Sequence, residues 1–223
     1  MRVFQFPKSQ HTRRYKPKQY KHYGTYKRYL QAEFSRVCVY CRHPDSAAGK
    51  NLIFTADHYR PKGLPRFAHL VCDYSNLYYC CPTCNSFKSN FWPTNERTGP
   101  YVVNPCDYAM FDHIRFDAQT GEHNPRSDYG ILTQELLHLN DPVSVEYRLD
   151  TLFSVQALEF VIDKLKAERE EIERDFSDQV LSAAEYAQQV ADNANQLARN
   201  ESARLAHTGE SVHVLEQALL KGN

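Results

Sequence analysis

Two Cys-x-x-Cys pairs, Cys38 with Cys41 and Cys81 with Cys84, constrain the fold of this 223-residue chain more than any other feature. At that spacing two thiolates can wrap one cation through a tight turn, and two such pairs form a tetrahedral four-sulfur site of the kind that holds structural Zn2+. The 39 residues between the pairs exceed the roughly 15 to 20 of a simple zinc ribbon. Something folded therefore occupies the gap. Cys80 competes with Cys81 for the metal, but only Cys81 keeps two residues ahead of Cys84. Cys72, Cys80 and Cys106 are left as buried thiols.

The opening "MRVFQFPKSQHTRRYKPK" lacks the apolar stretch of a signal peptide, and no run of eighteen apolar residues occurs anywhere. The reading is a cytoplasmic chain with no membrane span, whose seven cysteines are thiols or metal ligands, since the cytosol keeps thiols reduced. The 27 basic and 27 acidic residues cancel, but they are sorted along the chain. Residues 1–36 carry ten Lys or Arg against one acid, Glu33, whereas from Asp150 onward fourteen acids face seven bases.

Three regions follow. Residues 1–36 form a basic arm in which cations alternate with Tyr15, Tyr20, Tyr23, Tyr26 and Tyr29, its early part extended. Bases of that kind neutralise phosphate, and the rings can stack on unpaired nucleobases; the alternative is a packed lead-in whose tyrosines cover the zinc module. Residues 37–140 are rich in Pro, Asn, Asp and Cys, with short strand-like runs at 51–56, 75–80 and 113–117. Residues 141–223 are helical. Asp141 caps a long helix whose first turn suits Pro142; Ser177 caps a second, whose apolar face is mostly alanine (Ala183, Ala187, Ala191, Ala194, Ala198) with Val180, Val190 and Leu197 and is suited to close contact; and "HTGES" near residue 209 leads into a short last helix. The acidic tail suits packing on the core, pairing with a second copy, or docking on a partner.

Inside the cysteine gap lie "ADHYRPK" and then Asn76. The order Cys38-x-x-Cys41, Asp57-His58-x-x-Pro61, Asn76-Leu77, Cys81-x-x-Cys84-Asn85-x-x-Lys88 resembles the HNH, or ββα-metal, endonucleases. The match spans residues 38–88. It implies an α+β protein: a zinc-stapled ββα-metal nuclease core with a C-terminal α-helical region.

The resemblance implies roles as well. His58 is the general base, Asp57 and Asn85 ligate a catalytic Mg2+, with Mn2+ permissible, and Asn76 holds the loop and the base in place. Arg60, Lys62 and Lys88 are candidate phosphate contacts. His43, His69, His113 and His138 have no such frame and read as structural. The chemistry suits these residue types, because a neutral imidazole can accept a proton from water near neutral pH while a hard cation held by oxygens steadies the phosphorane charge. The expected activity is hydrolysis of DNA. Further stretches resemble compact bacterial HNH proteins of antiphage defence systems of the Septu and retron-linked type, some of which accompany an ATPase. Two rivals remain open: a zinc module that binds nucleic acid or a partner without cutting, and an HNH nuclease directed at RNA.

Overall fold

The computed structural model describes residues 3–46 and 53–208, so the start of the run at 51–56 and the expected last helix lie outside the described residues. The chain divides into two compact units, one reaching Leu149 and the other Asp150–Thr208. The first is α+β and built around a small antiparallel sheet.

In that unit, a 3-10 turn at Tyr23–Tyr26 leads into α1, Lys27–Glu33. Strand β1, Thr55–His58, pairs with β2, Leu77–Cys80, in the register Asp57 opposite Tyr78 and His58 opposite Leu77. Two 3-10 turns, Pro65–Leu70 and Tyr74–Asn76, fill the connection. Helix α2, Pro82–Lys88, starts directly after β2: Pro82 occupies its first turn, where a missing N–H costs nothing, and the Cys81 sulfur accepts from the Cys84 N–H as a cap. Short helix α3 (Met110–His113), hairpin strands β3 (Ile114–Phe116) and β4 (His123–Pro125), and α4 (Asp128–Leu136) complete the layer. Ser127 caps α4 by accepting from the Gly130 N–H.

Tyrosine dominates the core, and each ring's hydroxyl is satisfied, as burying an amphipathic ring requires. Tyr78 donates to Asn104 Oδ1 at 2.7 Å, Tyr79 to Asp45 Oδ2 at 2.7 Å, and Tyr59 to the Val102 carbonyl at 2.8 Å. The N-terminal segment packs onto this core. Arg13 lies over the rings of Tyr78, Phe34 and Tyr74 at 4.5, 4.9 and 5.1 Å and donates to the Leu77 carbonyl at 2.7 Å. Its guanidinium is thus spent on aromatic faces and a strand end, although Lys16, Lys18 and Lys21 remain exposed.

Glu33 anchors that packing. Its buried carboxylate accepts from His11 Nε2 at 2.9 Å, from the Arg14 and Tyr15 N–H groups at 2.8 and 3.2 Å, and from the Tyr74 hydroxyl at 3.0 Å. Burial alone pushes its carboxyl up, but these donors outweigh it and the net shift is downward from 4.5. A carboxylate with a depressed folded pKa stabilises the native state above its unfolded value and loses that contribution as pH falls through the folded one. Glu33→Gln is expected to lower stability by about 2 kcal/mol at pH 7, with the difference from wild type shrinking below pH 4.5. Urea melts at pH 7 and pH 4 check this; a gap that does not narrow counts against the anchor.

Two helices make the second unit. Helix α5, Pro142–Ser177, begins as expected, with Asp141 Oδ1 accepting from the Val143 and Ser144 N–H groups at 3.0 and 3.4 Å. Helix α6, Ala183–Thr208, departs from expectation in two respects. Its cap is Ser182, not Ser177, which still belongs to α5; Ser182 and Glu185 exchange side-chain-to-backbone bonds at 2.9 and 3.3 Å, a capping box. The alanine face is also exposed. Val190 and Leu197 of the expected face do turn inward, joined by Tyr186 and Asn193, because larger side chains remove more apolar area from water than alanine can, while Val180 is exposed. Asn193, buried, donates to the Leu165 carbonyl at 2.8 Å and to Glu168 at 3.0 Å, and Phe176 stacks on Tyr186 with centroids 4.2 Å apart.

Among the described residues, no helix is long and apolar enough to cross a membrane.

Candidate metal centre and adjoining cleft

The knuckle at 38–41 rests on a β-bridge between Val37 and Pro44, with the Arg42 N–H returning to the Cys38 carbonyl at 3.0 Å. The Val39 N–H donates to the Tyr79 carbonyl at 3.0 Å, which brings this knuckle against β2, and the second knuckle continues from β2 into α2. The sulfurs of Cys38, Cys41, Cys81 and Cys84 therefore converge, all within 4.8 Å of one another and all buried. Cys41 Sγ and Cys81 Sγ are 3.7 Å apart. Four sulfurs about 2.3 Å from one ion at tetrahedral angles are separated by about 3.8 Å, so the quartet has the dimensions of a zinc site. Cys80 lies 4.0 Å from Cys38 but points its thiol at the Cys81 carbonyl, 3.3 Å away. It stays outside the quartet. Cys72 and Cys106, expected to be buried, are only partly so.

The thiols bias one another. Burial pushes Cys38 up, yet hydrogen bonds from the neighbouring thiols bring it down overall; Cys41 and Cys84 are pushed up, first by donating to Cys38. Packed this closely, the sulfurs cannot all ionise beside one another without a cation. A buried four-cysteine cluster of this geometry can hold a structural metal such as zinc.

Two neighbours of this centre gave no sequence signal. Arg148 is fully buried, donating to the Gly121 carbonyl and to the Leu139 carbonyl at 2.9 Å. His123, also buried, bonds the Cys41 carbonyl through Nε2 at 3.2 Å. His43, read as structural, is pushed down to about 4 by burial and by the charge of Arg148. A lone Arg or His in a polar stretch looks like surface until the fold closes over it.

Helix α2 connects the metal centre to a second site. A cleft of about 300 Å3 is lined by Asp57, His58, Pro61, Lys62, Asn85, Ser86, Ser89 and Asn90. Asp57 and His58 end β1, and Asn85 directly follows Cys84 of the sulfur quartet on α2. Four residues singled out from the sequence thus share one cavity wall. A Cβ at Gly63 would meet the Asn90 amide, so glycine there lets the loop after Lys62 approach the turn that follows α2.

His58 is buried, and its Nε2 lies 3.0 Å from the Val71 carbonyl. A carbonyl can only accept, so Nε2 carries the proton and Nδ1 keeps a lone pair. Burial pushes the imidazole below 6.5, only partly opposed by the Val71 bond. The ring is neutral at pH 7.

Asn76 grips the chain just beyond His58. Its Oδ1 accepts from the Arg60 N–H at 2.8 Å and its Nδ2 donates to the Arg60 carbonyl at 3.1 Å, while the Tyr59 N–H donates to the Asn76 carbonyl at 3.0 Å. Asn76→Ala removes both side-chain arms of this part-buried clamp and is expected to cost about 1 to 2 kcal/mol. A chemical-denaturation midpoint within error of wild type would show that the clamp is dispensable.

The three candidate phosphate contacts fall in different places. Lys62 is exposed at the cleft rim and donates to the Tyr23 hydroxyl at 2.8 Å. Arg60 is exposed beside Trp92, outside the lining. Lys88 is buried and points inward, bonded to Asp57 Oδ1 at 3.1 Å and to the His58 carbonyl at 2.7 Å. It cannot meet a phosphate from the surface. Asp57 is itself 3% exposed, and its Oδ2 accepts from the Tyr40 hydroxyl at 2.7 Å.

Tyr23, expected only as one of the tyrosines of the basic arm, stands beside this cleft. Its ring sits edge-on to His58, centroids 4.6 Å apart, so the N-terminal segment reaches the cleft.

No family model matches the chain, and no curated protein or solved structure matches it.

Proposed function

We propose that the chain is a metal-dependent endonuclease of the HNH type that hydrolyses phosphodiester bonds of DNA. The observation that carries this reading is the shared cleft: Asp57, His58 and Asn85 line one wall system, braced by α2 against the four-cysteine centre. In this reading zinc is scaffold and the cleft is the reaction site.

The donor set suits Mg2+. Asp57 and Asn85 offer one carboxylate and one amide oxygen, a protein share that Mg2+ accepts while keeping waters. Both Asp57 oxygens already have a partner, but each carboxylate oxygen has a second lone pair. A divalent cation there would offset charge developing at phosphorus and on the leaving oxygen. The Val71 carbonyl fixes the His58 tautomer, Nδ1 takes the proton from the attacking water, and Asn76 keeps the following turn from drifting. Lys62 at the rim is placed to meet the flanking phosphate. Tyr23 borders the same rim and offers a ring face to a base.

The pairing of Asp57 with Lys88 favours a second reading, a zinc module that binds without cutting, since the carboxylate is partly satisfied inside the protein. One assay separates the readings. Purified protein is incubated with plasmid and with structured RNA, in Mg2+ or EDTA. Nicked or linear plasmid only in Mg2+ supports the proposal, degraded RNA with intact plasmid redirects it to RNA, and no cleavage of either sinks both enzymatic versions.

A further inference from the structure

Among the described residues, Asp57 is the one acid lining the cleft, and its charge is already matched from within. Lys88 Nζ stands 3.1 Å from Oδ1, with both side chains closed to solvent. The ammonium cannot swing away freely, because it also donates to the His58 carbonyl at 2.7 Å. Tyr40 occupies Oδ2. Taken with Lys62 at the rim, the cleft and its immediate backing carry no net negative charge.

A hard divalent cation draws its affinity chiefly from anionic oxygens, and a fixed positive charge a few ångströms away repels it. Sharing Asp57 with an ammonium therefore weakens the cation's hold on the bare cleft. The missing negative oxygens are those a phosphodiester brings. We propose that Lys88 makes divalent-cation binding in this cleft conditional on phosphate, so that cation and nucleic acid enter cooperatively. Lys88 acts through Asp57 and is a positioning residue. The inference rests on the nuclease reading for placing a phosphodiester in the cleft.

Coupling between two ligands is reciprocal, so it is measurable from either side. The zinc-loaded full chain carrying His58→Ala, which is expected to cut too slowly to consume the duplex during a titration, is titrated with Mn2+ alone, followed by loss of the free-ion electron paramagnetic resonance signal. The same protein is then titrated against a labelled duplex oligonucleotide by fluorescence anisotropy, in Mn2+ or in EDTA at constant ionic strength. Mn2+ alone is expected to bind weakly, while the duplex binds about tenfold tighter when Mn2+ is present. Adding Lys88→Met raises the affinity for Mn2+ alone about tenfold and shrinks the coupling, and Lys88→Arg preserves it.

Equal or weaker Mn2+ binding by the Lys88→Met protein overturns the proposal. If that variant loses its zinc or its circular dichroism spectrum, the Lys88-containing protein decides alone: duplex affinity indifferent to Mn2+ overturns the idea. A plasmid assay on the wild-type chain keeps the two readings apart. Intact plasmid with coupled binding removes the nuclease and leaves the coupling, whereas cleaved plasmid with uncoupled binding does the reverse.

Discussion

Cys81→Ser is expected to unfold the first unit. Structural zinc in a four-thiolate site contributes folding free energy on the order of 10 kcal/mol, while a whole domain is stable by only about 5 to 15 kcal/mol. Losing the ligand therefore removes most or all of the margin. The effect is large here because Cys81, between the end of β2 and the start of α2, completes the sulfur quartet. One mole of zinc per chain, released by the variant together with its near-ultraviolet dichroism, is the expected result. Cys80→Ala makes the contrast, since that thiol lies outside the quartet and its loss should cost only about 1 kcal/mol. A Cys81→Ser protein that melts like wild type would refute the metal centre.

The second large effect is on rate. His58→Ala removes the proposed base and is expected to slow cleavage by a factor of roughly 10^2 to 10^4, the range of general base catalysis, while zinc content stays at wild-type level. The pH profile tests the same group independently. His58 lies below 6.5 through burial, so the rate should be flat around pH 7 to 8 and fall only at pH below 6.5 as the ring gains its proton. An acid limb centred above neutrality, or undiminished cleavage by the variant, would remove His58 from the mechanism.

Much of the candidate site was legible because its constraints are local. Knuckle spacing depends on one turn of backbone, so the four cysteines of the quartet could be told from Cys80 by counting alone. Asp57, His58 and Asn85 line one cleft, and each abuts a feature readable in the sequence, a strand end or a knuckle cysteine. Lys88 was misplaced for the opposite reason. A lysine three residues past Asn85 reads as a solvated cation, and only the packing of α2 on β1 turns it inward onto Asp57. Arg13 was read in the same way and lies on the faces of Phe34, Tyr74 and Tyr78. In the helical region the period was readable but the face only in part: Val190 and Leu197 were read on the inward side, whereas the alanines beside them are exposed and Tyr186, with more area to bury, turns in. Ser182 rather than Ser177 caps α6 because the reciprocal bond with Glu185 is available only there.

The position of Arg148 governs how the molecule can be dissected. Its guanidinium bridges the turn before β4 and the segment after α4, donating to the carbonyls of Gly121 and Leu139. Yet it is carried on the opening turns of the long helix, past the point where composition changes to helical. Trimming the tail at residue 140 would strand two buried carbonyls and leave a hollow the size of an arginine. A stable fragment of the first unit must therefore run through Leu149 and keep the N-terminal residues that lie on the tyrosine core.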